Sequence, residues 1–385
     1  MLPKRTKITG VSASCCLGSN IDEIITKLYR KERGQTFNHR FKKWTKSPLG
    51  EMNFESFGLD KPSESACDKS VNHIISHWIE DLQEQTRLFD RYQPSEIGLI
   101  IGSTTYGIEE TFKSYNTSKD NPSIFNFASK MMQTGKLIEE IASRFPIEGF
   151  STAVSTACSS GAIAIGEAYL AVKSGMLKAC IAGGFDLLNT VTICGFDSLQ
   201  VLDNDLCNPF HKNRNGINLA EGGAVIVIEA DENGHEPIGH IVGYGVSSEG
   251  YHPTHPEPNG KGMEFTMKMA LDNSSYKSSD VRFINAHGTG TIPNDKAERL
   301  SIDNMFENIP YYTTKQYTGH CLAGAGALEA VLTLKALDDQ NLHTEILKEK
   351  KMSINSDKPV ALSNSFGFGG SNASLLLTSS KGFNE

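Results

Sequence analysis

The stretch that decides the fold is VSTACSSG at residues 154–161, which runs directly into an apolar segment at 162–172. Small residues surround Cys158 and would let another molecule approach it closely. The apolar segment has helical spacing, and Gly175 follows it as a typical helix stop. Cys158 is therefore predicted at a helix N-terminus, where the partial positive charge favours the nucleophilic thiolate. Taken alone, the stretch fits a buried structural cysteine better than a catalytic one.

Short apolar runs alternate with helical periodicity along the chain. The predicted strands cover residues 97–101, 179–182, 224–229, 238–246, 283–286 and 374–377. The predicted helices cover residues 21–30, 74–85, 162–172, 262–271 and 328–337. This alternation is typical of an α/β fold. A polar stretch at 230–237 separates two portions that repeat the same theme, so we expect two halves, residues 1–230 and 231–385.

The composition excludes several classes of protein. The 385 residues are 38% hydrophobic and 21% charged, as in ordinary globular proteins. No run approaches the ~18 apolar residues of a membrane span, and the first ten residues do not resemble a signal peptide. We therefore expect a cytoplasmic protein without a membrane segment. The eight cysteines lack zinc-type spacing, which predicts reduced thiols and no metal site.

The charge of the chain is uneven. The net charge of −8 argues against binding to nucleic acid. Residues 27–46 nevertheless hold eight basic residues and one acid, Glu32, a net charge of +7. Such a segment fits a solvated surface or a docking site for an acidic partner.

Two histidines and a lysine lie in further small-residue segments. His287 follows the predicted strand at 283–286, a place where α/β proteins often carry chemistry. Lys315 and His320 belong to KQYTGH at residues 315–320. Each histidine alone fits a buried polar group of the core equally well.

Two other polar features have both a structural and a functional interpretation. Asp295 and Glu298 are three positions apart and fit a charge pair at a helix start. The segment NSFGFGGSNA at 364–373 lacks a phosphate-binding glycine pattern. Its glycines form a tight turn or aim a backbone N–H group at a reacting carbonyl.

Together these motifs resemble those of the β-ketoacyl synthases, the condensing enzymes of the thiolase-like superfamily. The pattern comprises TACSSG at 156–161, NPFHKNRNG at 208–216, AEGG at 220–223, AHGTGT at 286–291, KQYTGH at 315–320 and NSFGFGGSNA at 364–373. The residues at 8–11 also fit the opening strand of that family. Because the motifs follow in order along nearly the whole chain, their conjunction is highly specific.

The resemblance implies a thiolase-like fold of five alternating layers, αβαβα, made from two similar halves and forming a dimer. It also implies roles for individual residues: Cys158 as nucleophile, His287 and His320 as its catalytic partners, Lys315 as support for the histidines, the N–H groups of Cys158 and Phe368 as the oxyanion hole, Phe366 and Phe368 at the acyl pocket, and Asp295 and Glu298 as supporting groups.

The reaction that the resemblance implies is a decarboxylative Claisen condensation. An acyl group moves from an acyl carrier protein to Cys158, and a malonyl-carrier loses CO₂ to give the enolate that attacks it. No metal or redox cofactor is needed. The carrier is expected to be a separate protein, and the basic segment at 27–46 is a candidate docking site because acyl carrier proteins are generally acidic.

Some motif residues depart from the commonest wording of the family. Asn215 and Ile217 stand where Asp and Phe are usual, His211 where Asp or Ser is frequent, and Pro293 precedes Asn294-Asp295 where a glycine is more usual. This wording is closer to ketosynthases of type II polyketide or aryl-polyene systems than to fatty-acid elongating synthases. The resemblance to such enzymes implies that this chain forms either a homodimer or a heterodimer with a chain-length-factor homologue.

Four other functions remain open at this point. A fatty-acid elongating synthase would carry the same motifs. A non-catalytic chain-length partner is disfavoured because Cys158, His287, His320 and Lys315 are all present. A thiolase would carry a second cysteine near its C-terminus, where this chain has Phe366 and Phe368, and a cysteine hydrolase would use a similar nucleophile.

Overall fold

Ten of the twelve strands in the described residues form two groups of five that share one connection order, and the other two pair with each other. The computed structural model of the chain describes residues 5–62, 68–117, 134–232, 235–339 and 359–380. Its strands are β1 (Thr6–Cys15), β2 (Gln35–Thr36), β3 (Leu49–Gly50), β4 (Ile97–Gly102), β5 (Ser151–Val154), β6 (Ala179–Asp186), β7 (Gly222–Ala230), β8 (Gly239–Ser248), β9 (Val281–Asn285), β10 (Tyr311–Tyr312), β11 (Val360–Phe366) and β12 (Ser371–Ser379).

The first group has the order β1-β7-β6-β4-β5, and the second has the order β8-β12-β11-β9-β10. In each group the first three strands are antiparallel neighbours and the last three are parallel neighbours. The groups meet where Ile8 of β1 pairs with Gly239 of β8. This repetition confirms a duplicated fold. The boundary at 230/231 stays a prediction, and positions 233–234 of the linker lie outside the described residues.

The helices complete five layers. They are α1 (Ile21–Tyr29), α2 (Asp68–Thr86), α3 (Leu88–Arg91), α4 (Ile108–Thr117), α5 (Thr134–Ala142), α6 (Ser160–Lys173), α7 (Thr190–Ser198), α8 (Lys261–Asp272), α9 (Ile292–Met305), α10 (Lys315–Thr318) and α11 (Ala325–Asp338). Helices α2 and α5 cover one face of the first strand group, and α8 covers one face of the second, with α9 packed on it. Helices α6 and α11 touch strands of both groups and lie between them. The expected αβαβα arrangement is therefore confirmed.

The central helices α6 and α11 are apolar on all sides because they are buried on all sides. Nearly every side chain of both helices is buried, as expected for a helix without a polar face. The two helices approach closely at Gly161, where a Cβ atom would lie 3.1 Å from the Cβ of Ala327 in α11 and 2.6 Å from the carbonyl oxygen of Ala323 just before it. This approach brings the start of α6, next to Cys158, against the segment that follows His320.

Two further observations bear on the earlier expectations. In the part of the chain that the structure describes, no helix is both long enough and apolar enough to cross a bilayer. Seven cysteines fall within the described ranges, and all are free thiols.

Candidate active site

Cys158 lies in a sharp turn between β5 and α6. It directly precedes Ser159, the N-cap residue of α6, and is 5% exposed. Ala157 has a φ of 53°, in the left-handed region that few residues other than glycine adopt. The Oγ of Ser160 holds this turn, accepting from the N–H of Thr156 at 2.8 Å and donating to the carbonyl of Ala157 at 2.6 Å. The strained turn thereby directs the cysteine into the interior.

The Cys158 thiol is less acidic than its position at a helix start suggests. Burial raises its pKa to about 11, against opposing effects of Lys315 and of the backbone N–H of Phe368. A helix N-terminus contributes at most ~2 kcal/mol, which lowers a pKa by about 1.5. Desolvation therefore outweighs the favourable effect of the helix start on the pKa of this thiol.

His287 and His320 lie beside the cysteine. His287 follows β9, and His320 follows α10 and Gly319. The two ring centroids are 5.5 Å apart and the rings are nearly perpendicular, at 86°. The Cys158 sulfur and one nitrogen from each ring lie within 4.8 Å of one another. The structure thus brings together residues that are far apart in the sequence. Cys158 is at least 129 positions from either histidine, and the two histidines are 33 positions apart.

The hydrogen-bond partners of the histidines define their tautomers. The Nδ1 of His320 accepts from the N–H of Leu322 at 3.0 Å. The Nδ1 of His287 faces the ammonium group of Lys315 at 3.4 Å. Burial, reinforced by Lys315, lowers the pKa of both histidines well below the usual range, so both rings are neutral. Each ring therefore carries its proton on Nε2 and offers an N–H donor.

Lys315 is held by an acid that sequence reasoning did not identify. Its Nζ atom forms a buried ion pair with Glu329 of α11, and both side chains are 2% exposed. Burial raises the pKa of Glu329 to about 7, against the opposing effect of Lys315. Glu329 is the only charged residue in AGALEAVLTL at 325–334, and this was the available signal, because a buried charge requires a partner.

Asp295 and Glu298, in the first turns of α9, hold the loop that carries His287. Glu298 accepts from the N–H groups of His287 and Gly288, each at 2.8 Å. Asp295 accepts from the N–H of Gly290 at 3.1 Å and pairs with Arg214 at 3.3 Å. Gly288 has a φ of 41°, and a Cβ there would lie 2.7 Å from the ring of Phe210. The two acids therefore hold the backbone of the loop that carries His287.

The glycine-rich segment after β11 completes the site. The backbone N–H groups of Phe368 and Cys158 both lower the pKa of the Cys158 thiol. Gly370 has a φ of 80°, and a Cβ there would lie 1.9 Å from the carbonyl oxygen of Glu249. The tight turn thus requires glycine and fixes the direction of the Phe368 N–H group.

Two cavities meet at Cys158. The first is lined by His287 and His320, and Phe366 lies in its wall beside His287, with ring centroids 6.1 Å apart. The second is mainly apolar and has a volume of about 500 Å³. Phe368 lines both cavities and stacks on Phe196 with a centroid distance of 5.6 Å. Phe366 was expected at the acyl pocket, but it borders the catalytic cavity and does not line the apolar one.

Comparison with known protein families identifies the family to which this chain belongs. The model of the β-ketoacyl synthase N-terminal domain matches residues 4–233, and that of the C-terminal domain matches residues 238–347. The chain belongs to the β-ketoacyl synthase family. It is therefore a condensing enzyme of the acyltransferase type, as the resemblance implied.

Several relatives of this ketosynthase are known. It is 33% identical over 311 residues to a 3-oxoacyl-[acyl-carrier-protein] synthase homolog of Saccharomyces cerevisiae, covering 73% of this chain and 70% of that protein. It is 29% identical to 3-oxoacyl-[acyl-carrier-protein] synthase 2 of Synechocystis, covering 97% and 98% of the two chains. The ketosynthase ApeO of Xenorhabdus doucetiae, solved in complex with its chain length factor ApeC, superposes with a TM-score of 0.78 at 27% identity, covering 98% of each chain.

The ketosynthase site also has the composition of a metal site, since a cysteine and two histidines lie close together. Zinc binds thiolate sulfur and unprotonated imidazole nitrogen. Here the Nδ1 lone pairs of His287 and His320 face Lys315 and the N–H of Leu322. The nitrogen left on each ring carries a proton, and the thiol pKa is raised. These donors fit an oxyanion better than a cation.

A second residue that sequence reasoning missed is Asp186, at the end of β6. It is 1% exposed and accepts hydrogen bonds from the loop after β4 and from the segment after His320. No motif of the sequence marks this residue, because its partners lie 81 or more positions away along the chain.

Proposed function

We propose that Cys158 carries the growing acyl chain as a thioester and that His287 and His320 stabilise the enolate formed from a malonyl-carrier. The observation that carries this proposal is the pair of neutral Nε2–H donors beside the cysteine sulfur. Two such donors in a buried cavity stabilise an oxyanion without needing to reorganise.

The first half-reaction loads the cysteine. The Cys158 thiolate attacks the thioester carbonyl of an acyl-carrier, a new carbon–sulfur bond forms, and the carrier thiolate leaves. The N–H groups of Cys158 and Phe368 both lower the pKa of the Cys158 thiol, and in this proposal they bind the carbonyl oxygen once the acyl group is attached. The acyl chain then extends into the apolar cavity.

The second half-reaction extends the chain. The bond from the α-carbon of the malonyl group to its carboxylate breaks, CO₂ leaves, and the electron pair passes to the thioester oxygen. Nε2–H groups of His287 and His320 bind this oxygen. The α-carbon then attacks the acyl-cysteine, the N–H groups of Cys158 and Phe368 hold the tetrahedral oxygen, and the Cys158 thiolate departs. Lys315 and Glu329 fix the orientation of His287.

We include in the proposal an acidic carrier protein that docks on the basic segment at 27–46. Lys42 and Lys46 are exposed there, as are Arg30 and Arg33. Arg40 is an exception: its side chain is 3% exposed and pairs with Glu51 and the buried Glu221. The docking surface is therefore smaller than the charge count of the segment suggests.

We also propose that the enzyme is a dimer formed along β5. This strand is the last of its group and pairs with β4 on one side only among the described residues. An unpaired strand edge is a template for pairing with another chain. Phe150, Val191 and Leu199 are exposed by 51%, 38% and 48%. Leu199 also lines the apolar cavity, so a partner on this face would close it.

The last part of the proposal concerns the biosynthetic pathway in which the enzyme acts and its location in the cell. ApeO was solved in complex with its chain length factor, and together with the motif wording this supports a type II polyketide or aryl-polyene ketosynthase whose partner is such a homologue. The alternative is a fatty-acid elongating synthase, supported by the names of the curated relatives. The free thiols of the described residues support the cytoplasm as its location.

Incubation of the purified enzyme with an acyl-carrier and a malonyl-carrier tests the proposed reaction. We expect release of CO₂ together with an acyl chain that is longer by two carbons. Release of free acid without CO₂ would indicate a hydrolase. The absence of both products with carriers from fatty-acid and polyketide systems would indicate a non-catalytic subunit.

A further inference from the structure

The apolar cavity behind Cys158 is lined by several residues with hydroxyl groups. Thr104 and Thr105, in the loop after β4, form part of its wall, as do Thr192 and Ser198 of α7. A threonine can present either its hydroxyl or its methyl group to a cavity. Which group it presents decides whether an acyl chain meets a hydrogen-bonding wall or an apolar one.

Asp186 takes both hydroxyl groups of the loop. The Oγ1 of Thr104 donates to Asp186 at 2.5 Å, and the Oγ1 of Thr105 donates to it at 2.9 Å. The backbone N–H groups of the same two threonines also donate to Asp186, each at 3.0 Å. Two N–H and two O–H donors from adjacent residues therefore converge on one buried carboxylate.

Asp186 is held in place by two further donors. The Oγ of Ser103 donates to it at 2.8 Å, and the N–H of Ala323 donates to it at 2.9 Å. Leu322, next to Ala323, is another residue of the cavity wall. Because all of these donors bind the Asp186 carboxylate, its negative charge is stabilised by hydrogen bonds. The loop after β4 therefore has little freedom to turn its hydroxyl groups elsewhere.

This arrangement has a consequence for the cavity wall. With both Oγ1 atoms bonded to Asp186, the remaining branch of each threonine is its methyl group, so Thr104 and Thr105 add methyl surface to the cavity. A hydroxyl group on an acyl chain would find no partner on that part of the wall. A buried hydroxyl without a partner is unfavourable, and apolar pockets reject a hydroxylated analogue by up to about 100-fold.

We propose that Asp186 is a specificity-determining residue, which keeps the acyl cavity apolar by binding the hydroxyl groups of Thr104 and Thr105 and thereby selects acyl chains without polar substituents. The inference rests on the proposed function, in which the chain carried by Cys158 occupies this cavity. Asp186 acts through the threonines and is a positioning residue.

The test compares the loading of Cys158 by octanoyl thioesters with that by 3-hydroxy-, 6-hydroxy- and 8-hydroxyoctanoyl thioesters of pantetheine, in single-turnover experiments followed by intact-protein mass spectrometry. The wild-type enzyme should prefer octanoyl by about 10- to 100-fold at one or more hydroxyl positions. In Asp186→Asn, the amide keeps one acceptor oxygen but replaces the other with an NH₂ donor, so one of the two threonine hydroxyls loses its acceptor. The preference for octanoyl should then fall by about tenfold or more.

Rescue separates specificity from a loss of structure. Replacing both Thr104 and Thr105 by Val in the Asp186→Asn background removes the released hydroxyls and should restore the preference for octanoyl. Thr192→Val in the same background is the matched control, since Thr192 lines the same cavity without bonding to Asp186, and it should restore nothing. Restoration by Thr192→Val, or none by the double Val substitution, would overturn the proposal.

A second measurement covers the case in which Asp186→Asn does not fold. In the otherwise wild-type enzyme, Thr104→Val with Thr105→Val should leave the octanoyl preference unchanged, because the hydroxyls do not face the chain. A change of more than about threefold would show that they do and would overturn the inference. A wild-type enzyme that loads all four chains equally would also overturn it, whereas a failure to load octanoyl at all would instead refute the proposed function.

Discussion

Cys158 has to lose its proton in a cavity that disfavours charge. The lone pairs on Nδ1 of His287 and His320 face other donors, so neither ring is placed to take that proton in the resting site. The reactive thiolate is therefore a minor species at neutral pH, and its fraction grows with pH up to the raised pKa of about 11.

This leads to a prediction for the reactivity of Cys158 with iodoacetamide. Because alkylation requires the thiolate, its rate should rise about tenfold per pH unit between pH 7 and pH 9, without a plateau. Peptide mapping after short exposures would measure it, with the half-buried Cys194 as an internal reference in the same digest. A plateau below pH 8 would show that another group lowers the thiol pKa.

The histidines should matter more for decarboxylation than for loading. Replacing His287 or His320 by Ala removes an N–H donor that strengthens as the enolate oxygen becomes charged, a loss of about 10²- to 10³-fold in rate. Transfer of the acyl group to Cys158 should fall less, because that oxyanion is bound by backbone N–H groups. Single-turnover loading and CO₂ release should be measured separately for each variant. Collapse of loading with decarboxylation intact would reverse our assignment.

The residues that could be predicted from sequence are those in short motifs. Cys158, His287, His320 and Lys315 each lie among small residues whose spacing is informative. Asp186 and Glu329 lie in ordinary strand and helix sequences, and only folding brings them to the loop after β4 and to Lys315. The low acidity of Cys158 was also missed, because burial depends on packing against the second half of the chain.

At the scale of elements, long apolar or periodic segments were predicted and polar ones were not. The strands at 97–101, 179–182 and 224–229 are present as parts of β4, β6 and β7. Strand β11 was missed because its sequence, VALSNSF, contains a central polar run. Asn364 is buried there and accepts from Ser374 of the neighbouring β12 at 2.8 Å. Such a strand is recognisable only when its partners are known.

The basic segment gives a prediction at the same scale. Reversing Lys42 and Lys46 to Glu should weaken carrier binding and flatten its salt dependence, since exposed charges interact over ~8–10 Å. Loading from a small pantetheine thioester should barely change. Reversal of Lys268 and Lys277, exposed in and after α8, is the matched control and should leave carrier binding intact. Equal losses for the carrier and the small thioester would place the docking surface elsewhere.

At the scale of the whole molecule, the duplicated fold places the site where its two halves meet. The first half supplies Cys158, and the second supplies both histidines and the Phe368 N–H group. The close contact of α6 with the segment before α11, at Gly161, sets their separation. Neither half holds a complete site, so the fold and the chemistry depend on the same interface.

The unpaired edge of β5 predicts how this molecule assembles. Phe150→Glu places a charge on the exposed edge and should convert a dimer into a monomer at micromolar concentration, as measured by light scattering. Phe265→Glu is the matched control, because Phe265 of α8 is similarly exposed, at 56%, in an outer layer. A dimer that survives Phe150→Glu, or that is lost with Phe265→Glu, would place the interface elsewhere.

The most direct test of the account is the site of the acyl adduct. After incubation with an acyl-carrier, the wild-type enzyme should gain one acyl group on the peptide that contains Cys158, and Cys158→Ala should gain none while keeping its circular-dichroism spectrum. Addition of a malonyl-carrier to the loaded wild-type enzyme should remove the adduct and release an equal amount of CO₂. An adduct that persists in Cys158→Ala, for instance on Cys321, would contradict the account.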